Sequence, residues 1–288
     1  MPLRRHAAHP APPGDAVLVT GASSGMGRDA ALHLNGLGYR VFGTVRSDHA
    51  ADELRGAAPV PAMLHPVRLD VTRDEQFAAA LQQVTEHLAG GRLAGLFSNA
   101  GIALYTGDLS CERCPLETQQ RVMDTNFFGA VRTVRTFLPL LREARGTIVF
   151  NSAMMARIVL PYNAGYAASK CALEGWADAL RREVGHTGVR VVLLECGAMA
   201  TEIDSHMDPA AVPADPPYEA QRRMVERATA SMARMGRPPR VVSDIVVRAI
   251  QSERPPTRVR AGGGHRTLHL LSRLPDRAQD RLLGRLVG

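Results

Sequence analysis

The 288-residue chain is 45% hydrophobic and 5% aromatic, and 35 Lys and Arg against 28 Asp and Glu give a formal charge of +7. That length suits one large α/β domain or two small ones, and no apolar run reaches the roughly 18 residues that a membrane span requires. The positive balance could serve nucleic acid, a membrane surface or an anionic cofactor, but the basic residues are scattered and aromatics are few, which argues against a stacking platform for single-stranded nucleic acid.

Residues 1–14 are rich in Pro, Ala, His and Arg and lack the apolar core of a signal peptide, so they read as a flexible arm. Residues 15–20 (DAVLVT) form an apolar run of strand length, GASSGMG follows at 21–27, and a helical pattern covers 28–37. Strand, glycine turn and helix make the front of a dinucleotide-binding unit. Glycines let a pyrophosphate approach the backbone, and the helix N-terminus offers free N–H groups and partial positive charge. The spacing is G-x-x-x-G-x-G rather than the commoner G-x-G-x-x-G. A second strand over 39–45 ends in Val45-Arg46-Ser47. Many NAD-binding units place an acid there to grip the ribose 2′-OH. Valine does not repel a 2′-phosphate and Arg46 can pair with one, so this pattern favours NADP over NAD. A solvated strand-end charge is the alternative for Arg46, and Arg28 is a second basic candidate.

A third strand over 63–69 ends in Asp70-Val71-Thr72, an amphipathic helix covers 74–88, and a fourth strand over 93–97 ends in Ser98-Asn99-Ala100-Gly101. Successive strands thus finish in polar or small residues, where an open parallel sheet presents its ligand crevice. The long helical pattern over 116–141 contains Asn126 in an apolar stretch; a buried asparagine needs partners, and bracing of backbone and a chemical role both remain open. A fifth strand over 146–151 leads into Asn151-Ser152-Ala153. The next helix, reaching about residue 184, carries Tyr166 and Lys170. Positions i and i+4 share a helix face, so phenol and ammonium point into the same space. A free phenol titrates near 10, a nearby cation favours its phenolate, and a tyrosine so tuned exchanges a proton with an alcohol or carbonyl.

A sixth strand over 189–194 precedes Glu195-Cys196-Gly197. Residues 198–237, with prolines, methionines and no clean strand, read as a substrate lid. A helix over 239–253 and a short strand over 257–260 follow. Residues 263–288 interleave leucine with arginine and read as a helical tail docked on the core, with a partner face or a surface-seeking helix as alternatives. Four cysteines without framework spacing suit a reducing cytosol. Cys111 and Cys114 have metal-like C-x-x-C spacing, but no second pair completes a four-ligand site; the reading is no metal, with both near the pocket rim. Met154 and Met199 could form an adaptable apolar wall, and Tyr162 and His206 could meet substrate; ordinary packing or solvation is the open alternative for each.

Six motifs stand in order: TGASSGMG (20–27), LDVT (69–72), SNAG (98–101), DTNFFG (124–129), NSA (151–153) and YAASK (166–170). Over about 15–260 the chain resembles the short-chain dehydrogenase/reductase family, most of all its hydroxysteroid and retinol dehydrogenase branch. The resemblance implies an α/β fold, a single Rossmann-type domain over 15–262 whose seven-stranded parallel sheet has helices on both faces. It implies a catalytic set of Asn126, Ser152, Tyr166 and Lys170, with Asn126 holding a water that relays protons to Lys170. The cofactor site it implies comprises Thr20, Gly21, Ser23, Ser24, Gly25, Met26, Gly27, Arg46, Ser47, Asp70, Val71, Asn99, Ala100, Gly101, Tyr166, Lys170, Gly197, Met199 and Thr201. Ser152, Met154, Tyr162, Tyr166, Met199 and His206 would face substrate. The implied activity is NADP(H)-dependent interconversion of a ketone or aldehyde and an alcohol, on a bulky apolar molecule of steroid, polyketide or terpenoid type. A cytoplasmic homodimer or homotetramer is expected, built through the helices at 116–141 and 165–184, with no nucleic-acid or integral-membrane partner. A catalytically silent dinucleotide sensor on the same fold is the alternative. Two positions depart from the family pattern. Ser98 replaces an asparagine, and Cys196 replaces a proline and loses its fixed φ.

Overall fold

A computed structural model of the chain describes residues 11–12, 14–103, 109–201 and 219–285. Seven strands, β1 (Asp15–Val19), β2 (Arg40–Val45), β3 (Leu64–Arg68), β4 (Arg92–Ser98), β5 (Thr147–Ala153), β6 (Arg190–Cys196) and β7 (Arg258–Ala261), form one parallel sheet in the order β3-β2-β1-β4-β5-β6-β7. Parallel neighbours need crossover connections, usually helices, and the sheet is then covered on both faces. The crossovers here include α1 (Gly25–Gly36), α2 (Asp48–Gly56), α3 (Phe77–Leu88), α4 (Leu116–Met123), α5 (Gly129–Glu143), α6 (Ala164–Val184), α7 (Glu219–Met235) and α8 (Arg240–Gln251).

Strand side chains alternate between the two faces. Ala16, Leu18, Leu96, Ile148, Phe150 and Leu193 pack with α3, α5 and α6, through Val84, Phe137 and Leu173 among others. Val17, Val19, Phe97, Val149, Val192 and Leu194 pack with α1 and α8, through Leu34, Val246 and Ile250. Strands buried on both sides explain why the sequence shows continuous apolar runs rather than strict alternation. From β1 the chain builds outward to β3 on one side, then returns to place β4 on the other. That reversal leaves a crevice at the carboxyl ends of β1 and β4.

Three differences from the sequence expectations matter. The helical run expected over 116–141 is present and reaches Glu143, but a π turn at Asp124–Phe128 interrupts its α-helical hydrogen bonding between α4 and α5. The fifth strand runs on to Ala153, so Ser152 lies within it. The tail consists of two short helices, α9 (His265–Leu271) and α10 (Asp276–Gly284), and neither has a fully buried residue. Leu270 is 66% exposed; arginines at 266, 273, 277 and 281 break the leucines into pieces too narrow for a core-facing stripe. Of the expected lid, residues 202–218 lie outside the described residues. Its remainder holds α7 and a short stretch clamped by bridges of Ala198 to Gly263 and Met199 to Arg237. Among the described residues no helix is long and apolar enough to cross a membrane.

Candidate active site

A cleft of about 540 Å³ opens along the carboxyl ends of the central strands. Its first wall is the turn between β1 and α1. Gly21 has φ +66°, in the left-handed region open to glycine. A Cβ on Gly27 would collide with the Gly21 carbonyl oxygen, so only glycine allows α1 to start so close to the turn. The turn is tied to its neighbours. Gly21 N–H donates to Thr44 Oγ1 at 3.0 Å, and Thr20 Oγ1 accepts the Asn99 and Ala100 N–H groups at 2.9 and 3.0 Å. Asn99 Nδ2 donates back to the Thr20 and Gly21 carbonyls at 3.0 and 3.2 Å. The bracing continues across the sheet: Asn151 Nδ2 donates to Asn99 Oδ1 at 3.0 Å, and the Cys196 thiol to Asn151 Oδ1 at 3.4 Å. Five strand ends thus share one polar seam beneath the cleft.

Gly21, Ser23, Ser24, Gly25, Met26, Arg46, Asp70, Val71, Asn99, Ala100, Gly101, Ser152, Tyr166, Lys170, Gly197, Met199 and Thr201 all line this space. Other expected residues do not. Thr20 and Gly27 are buried behind the turn that they shape. The Ser47 hydroxyl accepts the Ala50 N–H at 3.2 Å and caps α2. Met154 is 1% exposed in the core. Tyr162, with φ +58°, lines a separate small recess beside Tyr166, together with Cys111 and Cys114. His206 lies outside the described residues. Thr44, Ile102, Ala103, Arg121, Thr125, Asn151 and Cys196, which the expected site leaves out, also line the cleft.

Electrostatics vary along the cleft. Burial raises the Asp70 carboxyl, but hydrogen bonds from Thr72 N–H (3.0 Å) and Oγ1 (2.7 Å), with the Arg46 charge, outweigh it and hold the acid below its ordinary value. Arg46 makes no salt bridge among the described residues, whereas nearby Arg68 is paired with Asp48 at 2.9 Å. At the other end Lys170 Nζ donates to the Asn151 carbonyl at 2.8 Å and stands 5.6 Å from the Tyr166 ring centroid. Burial pushes this ammonium down to about 8 and the Cys196 thiol up to about 12. Ser152 donates to Glu174 Oε1 at 2.8 Å, a contact that the sequence reading missed.

Asn126 sits in the π turn, buried below the cleft rather than on its lining. Its Oδ1 accepts Ile102 N–H at 2.8 Å, while Nδ2 donates to the Ile102 carbonyl at 2.9 Å and Ser169 Oγ at 3.0 Å. Ser169 in turn donates to the Tyr166 carbonyl at 2.7 Å. Asn126 therefore joins the loop after β4 to the helix of Tyr166 and Lys170. Close glycine packing, an arginine at the β2 end and a buried lysine beside a tyrosine fit a dinucleotide.

Residues 15–211 match the model of the short chain dehydrogenase family, and the chain belongs to that family. Among curated proteins it is 37% identical to human 17-beta-hydroxysteroid dehydrogenase type 6, over 64% of this chain and 57% of that one. It is 38% identical to human retinol dehydrogenase 16, over 66% of this chain and 58% of that one. The match thus spans under three fifths of the length of either relative. Uncharacterized oxidoreductase YbbO of Escherichia coli K12 is 32% identical over 93% of both chains. Among solved structures, a short-chain dehydrogenase from Streptomyces avermitilis has a TM-score of 0.75 at 27% identity, covering 94% of this chain and 96% of that one. One from Burkholderia cenocepacia J2315, in complex with NADP, has a TM-score of 0.71 at 24% identity, covering 98% and 100%.

Proposed function

We propose that the chain is an NADP(H)-dependent oxidoreductase that interconverts a ketone or aldehyde with an alcohol. The observation that carries the reading is the convergence of Ser152, Tyr166 and Lys170 on one cleft with the glycine turn. When bound, NADP(H) supplies or accepts the hydride, which is chemistry no side chain offers. The residues of the chain do the rest. In the reducing direction the Tyr166 hydroxyl gives its proton to the substrate oxygen, and in the oxidising direction the phenolate takes it back. Ser152 donates a hydrogen bond to that same oxygen and orients it. The Lys170 charge, 5.6 Å from the ring, favours the phenolate. Asn126 holds the loop and helix that frame the site; both its amide hydrogens are engaged by protein, which supports a bracing role over a water relay.

Arg46 supports the choice of NADP(H), since a guanidinium lining the cleft at this strand end suits a 2′-phosphate. A bulky apolar substrate is supported by the names of the hydroxysteroid and retinol relatives and by Ile102, Ala103 and Met199 on the cleft wall. A homo-oligomer in the cytoplasm completes the reading. Exposed Leu116 and Phe128 on the α4–α5 segment support the first, and four free cysteines the second.

The test is Tyr166→Phe against a carbonyl panel, followed by NADPH absorbance. Loss of the acid–base group lowers turnover by about 10²–10⁴. Turnover intact in the variant overturns the scheme. Tight NADPH binding by a wild-type protein that reduces nothing points instead to the silent sensor.

A further inference from the structure

Behind Ser152 lies a largely buried set of charges drawn from four places in the chain. Glu174, two turns beyond Tyr166 on α6, is 5% exposed. Its Oε1 accepts the Ser152 hydroxyl at 2.8 Å, while Oε2 faces Arg157 at 2.7 Å and Arg258 at 3.5 Å. The same two arginines reach Glu195, at 2.9 and 3.3 Å, and Glu195 is fully buried. Arg260 adds a third contact to Glu195 at 2.7 Å, and Asp178 takes Arg258 at 2.8 Å. The two oxygens of Glu174 therefore have different partners, one guanidinium-bound and one reserved for the serine.

We propose that Glu174 is a positioning residue for Ser152, fixing the serine oxygen on the cleft floor through a bond that Arg157 and Arg258 hold in register. This rests on the reductase reading above. A serine side chain has three staggered positions, and one without a partner is spread among them. A hydrogen bond to an ionised acceptor is roughly twice as strong as a neutral one and selects a single position. When a substrate oxygen arrives, the hydroxyl hydrogen turns to it. Glu174 then still has its arginines, so no buried carboxylate is stranded. The arrangement thus holds the serine ready without making its release prohibitive.

Two substitutions separate positioning from charge. Glu174→Asp keeps the charge but is one methylene too short to reach both Ser152 and Arg157. Glu174→Gln loses the charge but keeps the length; its amide oxygen turns to Arg157 and its NH₂ donates to the Ser152 oxygen. Positioning predicts that the Asp variant loses about tenfold in kcat/KM with NADPH affinity retained, while the Gln variant stays within about threefold of wild type. In a Ser152→Ala background the Asp substitution has no further effect, because its action runs through the serine. The opposite order, Asp near wild type and Gln impaired, overturns the proposal, as does an Asp effect undiminished in Ser152→Ala. An infrared arm needs no turnover. The carboxylate band lost in Glu174→Gln shifts in Ser152→Ala; an unmoved band overturns the contact. A wild-type protein that reduces no carbonyl would count against the reductase reading, not against this contact.

Discussion

Lys170 shows how one residue trades stability for a site. It is 4% exposed, and burial pushes its ammonium to about 8 from an ordinary 10.5. A folded-state value below the unfolded one means that the unfolded chain binds more protons between about pH 8 and 10.5. The contribution of this group to stability therefore rises with pH through that window, and its full penalty is present below pH 8. Lys170→Met removes the charge at similar volume. The expected outcome at pH 7 is lost turnover with a gain of about 1–3 kcal/mol in unfolding free energy, shrinking as the pH nears 10.5. A lower melting temperature at pH 7 would show that the Asn151 contact outweighs burial. Arg46 makes the complementary case at the exposed end of the cleft. Arg46→Asp places an acid where the reading puts a 2′-phosphate. In parallel fluorescence titrations NADPH affinity should fall at least tenfold, about 1.4 kcal/mol, with NADH affinity little changed. An unaltered NADPH-to-NADH ratio would remove Arg46 from the cofactor site.

At the level of elements, the strands and the glycine turn were legible because their signals are local. A run such as DAVLVT followed by closely spaced glycines specifies both an element and its end. The π turn was not legible. Asp124–Phe128 continues the apolar rhythm of its neighbours, and the extra residue in the turn shows only in the backbone, where the Gly129 N–H reaches back five residues to the Asp124 carbonyl. Helix α2 was missed because its one buried residue is Leu54, too little for a stripe. Ser47 illustrates the resulting confusion: adjacent to Arg46 it reads as a cofactor contact, whereas its hydroxyl caps α2. Glu174 left no trace either. In sequence it resembles a solvated helix charge, because its partners stand at 152, 157 and 258, and no spacing rule joins them. Motif spacing records which side chains share a turn. It does not record which distant ones share a charge.

The whole molecule is a sheet grown outward from β1, and its last strand to be made carries an outsized share of the charge balance. Arg258 and Arg260 come from β7, yet they serve Glu174 and Glu195, both translated more than 60 residues earlier. A chain emerging from the ribosome therefore presents β6 and α6 before the cations that make their burial tolerable. Until β7 arrives, desolvating those carboxylates is unfavourable, and the half-built sheet stays open behind Ser152. A nascent chain halted after Glu253 should accordingly be cut by limited proteolysis around α6, and one extended through residue 264 should resist; equal resistance of the two would mean that Arg157 suffices alone. The serine end of the cleft would then be completed only after β7 has been made.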